Sequence, residues 1–222
     1  MSELPLKSTQ ISRDSQDLEA YGRDWTRLHI PSPSVVVFPE STADVVKLVE
    51  WARGQKKGLV PSGGRTGLSA GAYATNGEVV VSFDRMRTIY GIEPIDQVIH
   101  CDAGVPTEEL QNFAEGKGFF FPIDLASRGS SQIGGNVSTN AGGTKVIRYG
   151  HTRDWVAGLK VVTGTGQILC LDRCLVKDNS GYDLKQLFIA AEGTLGFITE
   201  TWLRVTEKPR DLSVILLATD SL

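Results

Sequence analysis

Leu59-Val60-Pro61-Ser62-Gly63-Gly64-Arg65-Thr66-Gly67-Leu68-Ser69-Ala70-Gly71 opens as a strand and runs straight into a glycine loop. Upstream, Pro31-Ser32-Pro33-Ser34 introduces Val35-Val36-Val37-Phe38, a short buried strand by its β-branched content. Between the two lies Ser41-Thr42-Ala43-Asp44, a helix N-cap with an acid three residues on. Val45, Val46, Leu48, Val49 and Ala52 then follow at helical spacing, with Gly54 near the helix end. Strand, helix, strand and glycine loop form a βαβ opening, whose ligand is expected beyond the carboxyl end of the second strand.

Working outward, Val79 to Phe83 and Gln97 to Cys101 read as two further strands, and Thr107 to Lys117 as a helix that Gly118 ends. A long loop, Ile123 to Ser131, leads into a second glycine cluster from Ile133 to Gly143. Val156 to Thr163 and Gln167 to Leu171 read as a hairpin, Tyr182 to Ala191 as a short helix and Phe197 to Val205 as a strand. The second half is therefore antiparallel in character where the first is parallel. Leu212 to Ala218 reads as a last strand, which either closes the preceding sheet or begins a further domain. The linker-like Glu207-Lys208-Pro209-Arg210-Asp211 favours the further domain.

Composition excludes several classes. The 222 residues are 41% apolar and 22% charged, enough to bury a core as one large or two small domains. With 23 Lys and Arg against 26 Asp and Glu, the net charge of −3 leaves no basic footprint for nucleic acid. No apolar run approaches a membrane span and the polar start lacks a signal-peptide core. These features predict a cytoplasmic location, or a peripheral one at a membrane surface. The three cysteines, Cys101, Cys170 and Cys174, are expected reduced, and the three scattered histidines, His29, His100 and His151, make no metal-ligand spacing. No metal centre is expected.

The 24 glycines concentrate in loops beside Ser, Thr and Asn. In the first loop, successive backbone N–H groups and the hydroxyls of Ser62, Thr66 and Ser69 suit a pyrophosphate held in a nest of amides. A plain turn would use the same glycines. The loop lacks the lysine of a Walker A motif and the spacing of a Rossmann fingerprint. In the second cluster, small polar residues could thread backbone past a flat ring system, or the glycines could let a helix N-terminus pack closely on a sheet. The third, Glu192-Gly193-Thr194-Leu195-Gly196-Phe197-Ile198-Thr199, is by itself an ordinary helix-to-strand turn with a solvated or capping acid.

Taken together, these clusters resemble the FAD-binding domain of the vanillyl-alcohol oxidase superfamily, the p-cresol methylhydroxylase fold. Within it they are most similar to FAD-linked D-2-hydroxyacid dehydrogenases of the D-lactate, D-2-hydroxyglutarate and glycolate type. The matching segments are Pro61 to Leu68, Ile133 to Gly143 with Tyr149-Gly150, Asp178 to Phe188, and Glu192 to Gly196. The resemblance spans roughly Pro31 to Thr206.

The resemblance implies a two-lobed α+β flavoprotein, a small βαβ lobe and a larger antiparallel one with FAD between them. Residues 1–30 would be an N-terminal extension, 31–105 the first lobe, 106–209 the second, and 210–222 the start of a cap domain otherwise absent. The cofactor-binding residues it implies in the first loop are Pro61, Ser62, Gly63, Gly64, Arg65, Thr66, Gly67, Leu68 and Ser69. From the second region come Pro122, Ser131, Gly134, Gly135, Asn136, Thr139, Asn140 and Gly142, and from the third Gly193 and Ile198. Arg65 stands where covalently flavinylated relatives carry a His, so FAD is expected to be noncovalent. The implied reaction oxidises a small 2-hydroxy acid to the 2-oxo acid by hydride transfer to flavin N5, for an unidentified electron acceptor. The alternative is an FAD-binding module with no turnover by itself. No catalytic base is identified. His100 and His151 are read as satisfied or surface histidines. A β-branched residue at Gly64 or Gly135 is expected to abolish flavin retention and leave the fold intact.

Overall fold

The computed structural model describes residues 3–211 and 213–219. Its first layer is a four-stranded sheet in the order β1 (Ile11–Ser12), β2 (Val35–Val37), β4 (Val79–Ser82) and β3 (Leu59–Ser62). Strands β2 and β3 both run parallel to β4, which lies between them, and β1 pairs antiparallel with β2. Helix α1 (Ser15–Tyr21) precedes β2, and α2 (Thr42–Gln55) makes the crossover from β2 to β3. The Ser41 side chain caps α2 by accepting from the Asp44 amide.

Period-two alternation divides β2 between two apolar clusters. Val35 and Val37 pack with Val45, Leu48 and Val49 of α2, whereas Val36 and Val80 turn to the opposite face with Phe38, Ala74 and Tyr21. Fully burying side chains of this size stabilises the fold by roughly 1.5–3 kcal/mol each.

The second layer is an antiparallel sheet in the order β5 (Ile89–Glu93), β6 (Val98–Asp102), β10 (Gly196–Arg204), β8 (Val156–Thr163) and β9 (Ile168–Leu171). Its Ile99, Cys101, Leu159, Val161 and Leu203 share one continuous core with α2 and the first sheet. Polar contacts bind the layers too. The Thr42 hydroxyl donates to Thr199 Oγ1 at 3.0 Å, and Arg53 donates to the Thr165 carbonyl at 2.9 Å. Around this sheet lie α3 (Thr107–Gly116), the β7 (Phe119–Phe120) to β11 (Thr206–Glu207) pair, α4 (Ile133–Thr139), α5 (Val146–Tyr149), α6 (Thr152–Trp155) and α7 (Lys185–Phe188).

Several expectations change. Strands β5 and β6 belong to the antiparallel sheet, so the handover between sheets falls between Ser82 and Ile89, not after residue 105. The described part of the N-terminal extension, 3–30, packs on the first sheet and α2. Gln10 is buried and donates to the Phe38 carbonyl and to Asp44 Oδ2, while Ile11 pairs with Val37. The helix expected over Tyr182 to Ala191 shrinks to α7, because the Ala190 and Glu192 amides donate instead to the Val137 and Ser138 carbonyls of α4. Helix α2 continues through Gly54 and ends with Lys56 in the left-handed region. Of the strand expected over Leu212 to Ala218, residue 212 lies outside the described residues and 213–219 have no regular structure.

Asp44 joins the N-terminal segment to α2. Burial works against its charge, but hydrogen bonds from Gln10, the Glu40 amide and Ser41 more than offset it and hold the carboxyl below its usual range. A folded pKa below the unfolded one stabilises the fold fully above about pH 4, and that contribution disappears as pH falls through the folded value. Denaturant midpoints measured from pH 6 down to pH 2.5 should therefore fall less steeply for Asp44→Asn than for the parent. Parallel curves would show that the hydrogen bonds to Asp44 contribute nothing to acid stability.

Candidate functional site

A cleft of about 380 Å³ opens between the two sheets, within the range of small-molecule sites. Three glycine-bearing segments meet there. The loop after β3 forms one wall, α4 the second, and the turn from Glu192 into β10 the third. Phe83, Ala103, Leu125, Phe197 and Ile198 supply apolar surface between the amides and hydroxyls.

The segments touch one another through missing side chains. A Cβ at Gly64 would lie 2.1 Å from the Ser130 carbonyl oxygen, so the first loop can approach the lead-in to α4 only as bare backbone. Gly193, at φ +80°, would place a Cβ 2.6 Å from Pro61 Cγ. Within α4 the adjacent glycines serve different ends. A Cβ at Gly134 would stand 2.7 Å from that of Ala103, whereas at Gly135 it meets nothing within 4 Å. Gly134 thus permits close helix-on-sheet packing, while Gly135 lies open on the cleft wall.

Helix α4 is fixed by buried polar contacts. Asn136 Nδ2 donates to Thr107 Oγ1 at 2.7 Å, and that hydroxyl lies 2.8 Å from Ser131 Oγ. The Gln132 side chain donates to Asp84 Oδ1 at 2.7 Å. The first loop is held from a direction its own sequence does not signal. Asp24, 5% exposed, accepts from the Ala70 amide through Oδ2 and from the Thr26 amide and hydroxyl through Oδ1. The Trp25 amide donates to the Gly67 carbonyl. Tyr21 donates to Asp84 at 2.8 Å, and burial together with that carboxylate pushes its phenol up to about 12, so it remains a donor.

Of the residues expected at a cofactor, Pro61, Gly63, Gly64, Arg65, Thr66, Gly67, Leu68 and Ser69 line the cleft. So do Ser131, Gly134, Gly135, Asn136, Thr139, Gly193 and Ile198. Four stand off it. Ser62 is fully buried and its hydroxyl donates to the Tyr21 carbonyl; Pro122 is buried beyond β7. Asn140 is the left-handed cap of α4 and accepts from the Arg153 amide, and Gly142 packs beside His151 and Val146. Asp24, Phe83, Gln132 and Phe197 line the cleft without having been expected there; Gln132 and Phe197 adjoin glycine clusters, whereas no local spacing links Asp24 or Phe83 to them.

The remaining reactive groups are placed away from it. His100 stacks between Tyr90 and Trp202, with ring centroids 4.4 and 4.1 Å away, and its Nε2 lies 2.8 Å from Glu200 Oε2. Burial opposes the Glu200 charge, but Lys160 and His100 together hold its carboxyl below the usual range. Burial pushes the Cys101 thiol up to about 12, leaving it a small apolar side chain. Among the described residues no group of three or more His, Cys, Asp or Glu is placed to hold a metal, and no helix is long and apolar enough to cross a membrane.

A family model described as an FAD binding domain matches residues 33–172. The chain is 56% identical over 210 residues to a D-2-hydroxyglutarate dehydrogenase of Stutzerimonas stutzeri, covering 95% of this chain and 45% of that protein. It is 38% identical to the mitochondrial D-2-hydroxyglutarate dehydrogenase of Arabidopsis thaliana, covering 96% and 38% respectively. The chain thus spans less than half the length of these curated relatives. Among solved structures, an alkyldihydroxyacetonephosphate synthase superposes with a TM-score of 0.83 at 21% identity, covering 93% of this chain and 39% of that one. At that identity the likeness shows the fold, a two-lobed α+β domain.

The glycine geometry separates ligand effects from folding effects. Gly135→Val should keep the circular dichroism and melting behaviour close to the parent's while weakening flavin retention at least about tenfold, a loss near 1.4 kcal/mol. Gly64→Val should instead lose stability by about 1–3 kcal/mol or more, because the Ser130 backbone cannot yield. Equal melting of both variants would contradict this division.

Proposed function

We propose, from the premise that the chain belongs to the FAD binding domain family, that it is the cofactor-holding portion of an enzyme oxidising D-2-hydroxyglutarate or a closely similar D-2-hydroxy acid. The observation that carries this is the convergence of three bare-backbone segments on one cleft. Gly135 offers open backbone where a side chain would exclude a ligand, and the Gly63 to Ser69 loop faces it. This cradle fits an extended cofactor with a diphosphate and a flat ring: amides and hydroxyls for the first, Phe83, Phe197 and Ile198 for the second.

Bound FAD supplies the two-electron acceptor for the hydride on the hydroxyl-bearing carbon. The chain's own residues hold and orient. The first loop presents amides to the diphosphate, α4 presents the Gly135 backbone, and Gly193 with Ile198 closes the third side. FAD is held without a covalent bond, because Arg65 offers no nucleophile where tethered relatives carry a His. The groups that bind the substrate carboxylates and take the hydroxyl proton belong to the rest of the longer protein. By itself the 222-residue chain should therefore bind FAD without turnover.

Freshly purified protein should show flavin absorption, and acid precipitation should release all the yellow colour into the supernatant as FAD. A yellow pellet would overturn noncovalent binding. Joined to the remainder found in its relatives, the chain should reduce an artificial acceptor with D-2-hydroxyglutarate and not with the L enantiomer. Equal rates with both would overturn the substrate assignment.

A further inference from the structure

Arg65 is the only cation among the residues that line the cleft, where the acids are Asp24 and Glu192. It takes a left-handed backbone conformation at φ +56°, and its side chain folds back over the first loop. The guanidinium carbon lies 4.2 Å from the centroid of the Tyr21 ring, and Nη1 donates to the Gly63 carbonyl at 2.9 Å. Asp84 Oδ2 stands 3.8 Å from Nη1, close enough to attract the charge but beyond a hydrogen bond. A guanidinium carries five N–H donors. Stacking and charge thus pin this one while leaving donors uncommitted.

Asp84 also governs the surface on which the guanidinium rests. Its Oδ2 accepts from the Tyr21 hydroxyl at 2.8 Å and its Oδ1 from Gln132 at 2.7 Å. One carboxylate therefore holds the ring beneath Arg65 and the residue preceding α4, and attracts the guanidinium itself. Asp84 does not line the cleft itself. We propose that Asp84 is a positioning residue for the FAD diphosphate, acting through Arg65, which it holds in the cleft with free N–H donors.

This rests on the FAD reading above, and the two can fail separately. The test is a double-mutant cycle on FAD affinity, read by quenching of flavin fluorescence at low and high salt, with Asp84→Ala, Arg65→Ala and the double variant. Simple electrostatics predicts that removing an acid strengthens binding of a diphosphate. Positioning predicts the reverse: Asp84→Ala should weaken FAD binding about tenfold in the parent and leave it unchanged in the Arg65→Ala background. The salt dependence of affinity should flatten in both single variants alike, because an Arg65 that has swung away no longer meets the diphosphate. A purely structural role for Asp84 would not move that slope. Asp84→Asn, which keeps an acceptor for Gln132 and drops the charge, should show the same dependence on Arg65 and carries the test if Asp84→Ala does not fold. Tighter FAD binding by the Asp84 variants, or an equal loss with and without Arg65, would overturn the proposal. Failure of the parent to bind FAD would overturn the reading beneath it, and the proposal with it.

Discussion

The close approach of α4 to the end of β6, which exists because residue 134 has no side chain to meet Ala103, sets the position of everything around the cleft. From that seat the helix offers two carbonyls of its last turn, Val137 and Ser138, to the Ala190 and Glu192 amides, which draws in the third glycine segment. Its N-cap residue Gln132 reaches Asp84, and Asn136 reaches Thr107 on α3. A larger residue at 134 would lift the helix and disturb all three walls, because buried polar groups left without partners cost more than their bonds contribute.

The N-terminal segment plays a comparable part for the first loop. A glycine-rich loop is entropically costly to order, and here the order comes from outside the loop. Asp24 and the Trp25 amide grip it at Ala70 and Gly67, while Tyr21 stands beneath Arg65. Gln10 in turn fastens this segment to the end of β2 through the Phe38 carbonyl and to α2 through Asp44. The same helix α2 packs in the core shared by the two sheets and bonds to the second through Thr42.

Chemistry and architecture are kept apart in the side chains around the cleft. Ser131 and Asn136 line it, yet they bond to Thr107 and serve to hold α4. Asn140 caps the helix. What remains on the cleft wall is backbone and hydroxyls of the glycine segments, together with apolar rings and the Arg65 guanidinium. That arrangement suits a cofactor bound by shape and by its phosphates.

By itself the sequence determined what local pattern can carry: the β2–α2–β3 opening, the helix from Thr107, the antiparallel second half and the presence of three glycine clusters. These are legible because periodicity, caps and glycine content act over a few neighbouring residues. Tertiary structure alone decided that β5 and β6 join the second sheet, that Gly134 packs on Ala103 while Gly135 faces the cleft, and that α7 is cut short by the carbonyls of α4. It also brought Asp24 to Ala70, 46 residues along the chain, and Asp84 to Gln132, 48 residues on. Such pairings leave no trace in local spacing, because they depend on where two layers come to rest against a shared core.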